Sequence, residues 1–381
     1  MKLRVEEGSK AMRYKLLGRS GLRVSELCLG TMTFGEDWGW GSSKEESKRI
    51  YDAFVEAGGN FIDTANLYTN GTSEKFLGEF IAGSRESVVL ATKYANSGAH
   101  LGSATPPRDP NAAGNHRKNM VQAVEASLKR LRTDYIDLYW LHIWDFLTPV
   151  EEVMRAFDDL VRAGKVLYTG VSDAPAWIVS QANTLAELRG WTPFVGLQIE
   201  YSLIERTPER DLLPMARALD IGVTAWSPLA GGVLTGKYSK GKATTEARRL
   251  DDPMMSEFKP MTERAHRIAD EVQRVAAETG RSAAQVALAW ARQRNTIPII
   301  GARKLAQVQD NLASVTLTLS PEQSARLDAV SQIELGFPHD FYNVELVRNF
   351  AYGGLRDQID NHRVDPRAAQ QAPAAKAAAA R

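Results

Sequence analysis

Eight short apolar, β-branched runs alternate with helix-length amphipathic stretches, and this rhythm constrains the fold more than any other feature of the chain. The runs are Ser25–Gly30, Asn60–Thr64, Ser87–Lys93, Tyr135–His142, Val166–Ser172, Val195–Tyr201, Gly222–Ser227 and Thr296–Gly301. Most are nearly continuous apolar strings, as strands buried on both faces of a parallel sheet require. Between them Ser43–Ala57, Lys118–Leu131, Pro149–Ala163, Glu209–Leu219 and Thr262–Thr279 carry helical periodicity. Gly58, Gly164, Gly222 and Gly280 stand where helices would stop. The expected architecture is an α/β fold, a (β/α)8 TIM barrel. A doubly wound sheet is the competing solution. It would usually announce a dinucleotide site with a Gly-x-Gly-x-x-Gly turn after an early strand, and the sequence has no such turn.

With 381 residues and 44% hydrophobic content, one large core is affordable. The expected organisation is a flexible arm over 1–12, a single barrel domain over 13–362, and a disordered Ala/Pro/Gln-rich tail over 363–381. Two long connections, Asn96–Arg117 and Ser239–Pro260, follow strand ends, the side on which barrels carry their functional loops. A net charge of +1 gives no drive toward nucleic acid or an anionic membrane. The one cysteine, Cys28, leaves no intramolecular disulfide or thiolate metal cluster. The first residues lack the apolar core of a secretory signal, and no run approaches the ~18 apolar residues of a membrane span. A cytoplasmic protein without membrane insertion is the expectation.

In a barrel, catalytic groups belong at the strand ends. Asp63 ends the second run, Lys93 the third and His142 the fourth, while Tyr68 lies in the loop after Asp63. Taken singly these read as a helix cap, a surface lysine, a core histidine and a half-buried wall. Their joint placement on consecutive strand ends favours chemistry. A phenol is protonated at neutral pH and can donate a proton, a neighbouring ammonium favours its phenolate, and a buried lysine needs a counter-ion such as Asp63. A neutral imidazole can hold and polarise a carbonyl oxygen. Such a set suits hydride addition to an aldehyde or ketone. A Schiff-base aldolase acting through Lys93 is a rival that borohydride trapping would detect.

From Tyr14 to Asn361 the sequence resembles an aldo-keto reductase, in the branch that includes potassium-channel β subunits and aryl-alcohol dehydrogenases. The motifs are Gly-Arg-Ser-Gly-Leu-Arg-Val-Ser, Leu-Gly-Thr-Met-Thr-Phe-Gly, Asp-Thr-Ala-Asn-Leu-Tyr ending at Tyr68, Ser-Glu-Lys-Phe-Leu-Gly, Ala-Thr-Lys ending at Lys93, Asp-Leu-Tyr-Trp-Leu-His ending at His142, and Gly-Val-Ser-Asp from Gly170. The resemblance implies that Tyr68 is the general acid, that Lys93 and Asp63 tune it, and that His142 orients the carbonyl. It also implies NADPH (NADP+) as cofactor and a small-molecule carbonyl as substrate, with oligomerisation open. Some relatives are cofactor-binding sensor subunits of channels with little turnover, and they keep the same four groups, so that alternative stands.

The remaining strand ends form the expected cofactor cradle. Thr31 lies in the opening motif. Ser172, Asp173 and Gln198 could bond a carboxamide, although many members carry Asn where this chain has Asp173. Trp226 offers an aromatic face for a nicotinamide ring. The stretch Trp226, Ser227, Pro228, Leu229, Gly231 to Lys237 is similar to the family's pyrophosphate loop. It also nearly spells a nucleotide-triphosphate loop, which fails because Tyr238 stands where Ser or Thr would bind magnesium. Gly301, Arg303, Gln307, Asp310 and Asn311 resemble the segment for the adenosine phosphate. There a helix N-terminus would offer free N–H groups, and Arg303 would favour NADPH over NADH. Trp38, Trp40 and Trp144 could line an apolar substrate pocket or pack loops down, and Trp38 and Trp144 are taken as pocket residues. His100, His116, His266, His339 and His362 show no metal spacing, so no metal is expected. Asn70-Gly71-Thr72 matches a glycosylation sequon but reads more simply as a turn.

Overall fold

The computed structural model describes residues 12–97, 109–238 and 261–360. It begins with a hairpin in which β1 (Tyr14–Leu16) pairs antiparallel with β2 (Arg23–Ser25). Eight parallel strands follow: β3 (Cys28–Gly30), β4 (Phe61–Asp63), β5 (Val89–Tyr94), β6 (Ile136–Leu141), β7 (Val166–Ser172), β8 (Phe194–Glu200), β9 (Gly222–Trp226) and β10 (Ile297–Gly301). They close into a barrel in which β10 pairs with both β3 and β9. Closure excludes the doubly wound alternative, which needs open edges.

The hairpin corrects the first expected strand. Ser25–Gly30 is two pieces, because Asn60 accepts the Ser25 N–H at 2.7 Å while the Ser25 hydroxyl donates to the Leu27 carbonyl at 2.7 Å, turning the chain between β2 and β3. Lys15 Nζ donates to the carbonyl of Thr296, just ahead of β10, at 3.1 Å. Arg19 N–H donates to the carbonyl of Asp220, just ahead of β9, at 2.7 Å. The hairpin therefore closes the N-terminal end of the barrel and leaves the C-terminal end as its mouth.

Two apolar layers hold the structure. Inside the barrel, Leu17 and Val24 of the hairpin region pack with Cys28, Phe61, Leu138 and Trp140. Trp140 fits only because Gly170 and Gly196 lie beside it: a Cβ at either would come within 2.4 and 2.7 Å of the indole. The second layer lies between strands and helices. The helices are α1 (Lys44–Glu56), α2 (Thr72–Phe80), α3 (Arg117–Leu131), α4 (Val150–Arg162), α5 (Ala176–Arg189), α6 (Leu212–Ala218), α7 (Glu263–Thr279), α8 (Ala283–Gln293), α9 (Leu305–Leu312), α10 (Pro321–Ser331), α11 (His339–Tyr342) and α12 (Glu345–Tyr352).

Gly280 caps α7 with φ 64°, as its position in the sequence predicts. Gly222 does not end a helix. It opens β9, and Asp220, at φ 48°, makes the turn out of α6. α5 escapes pattern reading because its buried face is built largely of small residues, Ala176, Ala182 and Ala186 among them.

Of the expected arm, Met12 is described and buried; the rest of it and the tail from 363 lie outside the described residues. Most of the two long connections, 98–108 and 239–260, lies outside them as well. Beyond α10, Phe337, Phe341, Leu346 and Phe350 are exposed large apolar side chains. Among the described residues no helix is long and apolar enough to cross a membrane.

Candidate active site

Asp63, Tyr68, Lys93 and His142 meet at the barrel mouth. Asp63 is the last residue of β4, Lys93 lies one residue before the end of β5, and His142 follows β6. Tyr68 opens a 3-10 turn, Tyr68–Gly71, in which Thr69 and Asn70 take left-handed backbone (φ 46° and 54°). That conformation costs a β-branched residue on the order of 1–2 kcal/mol. Two hydrogen bonds hold it: the buried Thr69 hydroxyl donates to the Phe34 carbonyl at 2.6 Å and accepts the Ser73 N–H at 3.1 Å. The turn that aims Tyr68 is therefore imposed by its surroundings.

A lysine ammonium has three donors, and Lys93 uses all of them. It pairs with Asp63, donates to the Thr64 carbonyl at 2.8 Å, and donates to the Tyr68 hydroxyl at 3.3 Å. Since the phenol oxygen accepts from Lys93, its own proton is left to point elsewhere. The second oxygen of Asp63 accepts from the Gln198 amide at 3.0 Å. Gln198, Asp63, Lys93 and Tyr68 thus form one hydrogen-bonded chain across the mouth. The His142 ring meets Tyr68 edge-on, with centroids 5.9 Å apart at 82°.

Burial raises the Tyr68 phenol above its ordinary value, although the Lys93 ammonium opposes it. This corrects the expectation that the lysine would win. Desolvation of a phenolate is the larger effect here, so Tyr68 stays protonated. Burial would lower Lys93, yet the Asp63 carboxylate beside it and Tyr68 hold the ammonium above its usual value. His142 is driven well below the ordinary imidazole value by burial and then by Lys93, so its ring is neutral.

Supports not anticipated from the sequence fix these groups. Behind Asp63, the Ser73 hydroxyl donates to the Thr31 carbonyl at 2.8 Å, and the Thr31 hydroxyl donates to the Asp63 carbonyl at 3.0 Å. Thr31 has no exposed surface and braces the strand end. Buried Glu74 accepts from Thr92 and from Arg130, each at 2.6 Å, bracing β5 beside Lys93. Asn115 and Asp145 exchange hydrogen bonds at 2.7 and 2.8 Å, and the Asn115 amide donates to the Ile143 carbonyl at 2.8 Å. That clasp pins the segment immediately after His142. The one signal for it in the sequence is Asp145, whose carboxylate accepts the N–H groups of Leu147 and Thr148, an Asx-turn pattern.

The expected cofactor residues divide into two groups. Ser172, Asp173, Gln198 and Trp226 lie together beside the four central groups. The Ser172 hydroxyl is buried without a hydrogen-bond partner among the described residues, a polar atom that calls for one. The Trp226 indole N–H donates to Asp173 at 3.0 Å. Gln198 has committed its amide N–H to Asp63, which leaves its oxygen to accept. These are the donor and acceptors a carboxamide needs, and the half-buried Trp226 ring offers a stacking face. Beyond β9, Ser227 (φ 50°) and Gly231 (φ 67°) shape a tight turn with Pro228 and Leu229, and half-buried Lys237 follows it.

The second group follows β10, where Gly301 is exposed and Arg303 half-buried. The expected free N–H groups are not free. The Leu305 N–H donates to Glu46 of α1 at 2.6 Å, and the Arg303 N–H donates to the Gln307 side chain at 2.9 Å. Asp310 accepts from Ser282 and Gln285 at 2.9 and 2.7 Å, tying α9 to the start of α8. Asn311 is buried.

Of the pocket tryptophans, Trp38 is half-buried, stands 5.6 Å from Trp40, and donates to Asn70 in the Tyr68 turn at 3.4 Å. Trp144 is only 7% exposed, packs in the core between strands and helices, and donates its backbone N–H to the Asp173 carbonyl at 3.3 Å. Its neighbours Ile143, Phe146 and Leu147, and Trp177 after Asp173, are the exposed apolar residues. Among the described residues no group of three His, Cys, Asp or Glu side chains could hold a metal ion.

A family model described as the Aldo/keto reductase family matches residues 26–332. The chain is 38% identical over 334 residues to norsolorinic acid reductase of Aspergillus flavus, covering 86% of this chain and 82% of that protein. It is 38% identical over 353 residues to aryl-alcohol dehydrogenase [NADP(+)] of Phanerodontia chrysosporium, covering 88% and 90%. It is 36% identical over 337 residues to putative aryl-alcohol dehydrogenase AAD14 of Saccharomyces cerevisiae, covering 86% and 88%.

Proposed function

The chain belongs to the aldo/keto reductase family, and from that premise we propose that it is an NADPH-dependent oxidoreductase reducing aldehydes or ketones to alcohols, with Tyr68 as general acid. The observation that carries this reading is the continuous chain from Gln198 through Asp63 and Lys93 to Tyr68. Its relatives named as an NADP(+) aryl-alcohol dehydrogenase and as a norsolorinic acid reductase support a nicotinamide cofactor and a carbonyl substrate.

The bound nicotinamide supplies the hydride that adds to the carbonyl carbon. The protein's residues manage the oxygen and its proton. Neutral His142 and the Tyr68 hydroxyl share one side of the mouth, where both can hydrogen-bond a carbonyl oxygen. As negative charge develops on that oxygen, Tyr68 gives up its proton to it. The Lys93 ammonium, already bonded to the phenol oxygen, stabilises the phenolate left behind. Asp63 keeps Lys93 charged in a buried site, and Gln198 and the Thr31–Ser73 brace keep Asp63 in place. Ser172, Asp173, Gln198 and Trp226 would hold the nicotinamide, while Ser227, Pro228, Leu229, Gly231, Lys237, Gly301, Arg303, Gln307 and Asn311 would serve the phosphates and adenosine. Trp38 would face the substrate.

The test is NADPH oxidation with a panel of aromatic and aliphatic aldehydes. Turnover is expected, and Tyr68→Phe cuts it by orders of magnitude while still binding NADPH. Tight NADPH binding with no turnover on any carbonyl would overturn the enzymatic reading in favour of a sensor subunit. Labelling of Lys93 by borohydride in the presence of a carbonyl would point to Schiff-base chemistry instead.

A further inference from the structure

The charges at the mouth do not cancel. Lys93 and Asp63 neutralise one another, His142 is held neutral, and Tyr68 keeps its proton. Asp173 is left over. It accepts the neutral indole N–H of Trp226 at 3.0 Å, and among the described residues no lysine or arginine forms an ion pair with it. Asp173 keeps some solvent contact, and burial raises its carboxyl while the Trp226 indole N–H, the Ser172 hydroxyl and the Lys93 charge oppose that rise. Asp173 is close enough to Tyr68 for its charge to raise the phenol. It is held in left-handed backbone, at φ 45°, directly after β7.

An amide at this position would give a carboxamide the same acceptor oxygen without the charge. What the carboxylate adds is a negative field beside the nicotinamide ring. The oxidised and reduced rings differ there by one unit of positive charge. We propose that Asp173 sets the redox preference of the site, making it hold oxidised cofactor more tightly relative to reduced cofactor than a neutral side chain would. This inference rests on the nicotinamide reading above. Its consequence for the reaction, in which alcohol and oxidised cofactor interconvert with carbonyl, reduced cofactor and a proton, is a bound equilibrium displaced toward alcohol and oxidised cofactor, that is, toward carbonyl reduction.

The experiment is calorimetric titration of the protein with NADP+ and with NADPH separately, repeated for Asp173→Asn and Asp173→Ser. Asparagine keeps an oxygen for the Trp226 indole and tolerates left-handed backbone as aspartate does; serine removes the charge by a different geometry. The affinity ratio of NADP+ to NADPH is expected to fall roughly five- to thirtyfold in both variants, the scale of one unit charge across a half-solvated mouth. Equal weakening of both forms would overturn the proposal, because Asp173 would then be a polar contact without a redox role. Loss of both forms in both variants also counts against it, since an electrostatic bias leaves the reduced form able to bind. Failure of the unaltered protein to bind either form would bring down the nicotinamide reading itself.

Discussion

The two sides of the barrel mouth are built on different principles. On the side of β4, β5 and β6, the ionised groups Asp63 and Lys93 are buried, paired and braced from behind, and the left-handed turn bearing Tyr68 is held by hydrogen bonds of its own. On the side of β9 and β10, the groups suited to phosphates are half-exposed, and several are occupied by protein partners: Glu46 and Gln307 take two N–H groups at the start of α9, and Asp310 serves α8. The first side is preorganised, so on the proposed reading a carbonyl would meet donors that need not rearrange. The second side would have to share or exchange its contacts with the proposed phosphates. Proton transfer depends on distances of a few tenths of an ångström, whereas phosphate recognition tolerates an adjustable cation.

That contrast can be broken by substitution on either side. The largest effect is expected from Tyr68→Phe, which keeps the ring and removes the proton: steady-state turnover should fall ~10²–10⁴-fold with NADPH affinity nearly unchanged. A near-normal rate would end the assignment of Tyr68. Next, Asp63→Ala leaves the Lys93 ammonium buried without its counter-ion, and denaturant unfolding should report a loss of about 3–5 kcal/mol. If stability is retained, the pair is not the brace described. On the other side, Arg303→Ala should weaken NADPH roughly ten- to a hundredfold and NADH far less, with little change in stability. Equal losses would mean that Arg303 does not read the 2′-phosphate.

The smallest effect concerns pH. The folded imidazole of His142 is depressed well below its ordinary 6.5, so between those two values the unfolded chain binds a proton that the folded chain does not. Stability therefore falls as pH drops below about 6.5, by up to ~1.4 kcal/mol per pH unit for this one site. His142→Gln should flatten the acid slope by that amount in unfolding curves taken between pH 5 and 6.5. An unchanged slope would place the neutral imidazole in doubt.

Much of the fold and the centre of the site were legible in the sequence. The apolar runs mark the barrel strands to within a few residues, and three of the four central groups stand at or beside their ends, because barrel geometry brings strand ends to one face whatever the loops do. The hairpin was not legible, since its three-residue strands carry no periodicity and its tie runs from Ser25 to Asn60. Trp144 and the Ile143, Phe146 and Leu147 cluster are consecutive apolar residues whose burial is settled by how one loop turns. Nor could sequence reveal that Gln198 donates to Asp63, a partner 135 residues away.

What the sequence by itself determined is the period of burial and the chemical inventory: parallel strands and helices in alternation, and a phenol, an ammonium, a carboxylate and an imidazole at their ends. Those follow from local spacing and from what each side chain is. What only the tertiary structure decided is the state of those groups. Whether the phenol is raised or lowered, which N–H groups at α9 are already taken, and which charge is left uncompensated all depend on through-space distance and dielectric surroundings. Such quantities arise where distant segments meet, so Tyr68 keeps its proton and Asp173 its unpaired charge for reasons that no local stretch of the chain contains.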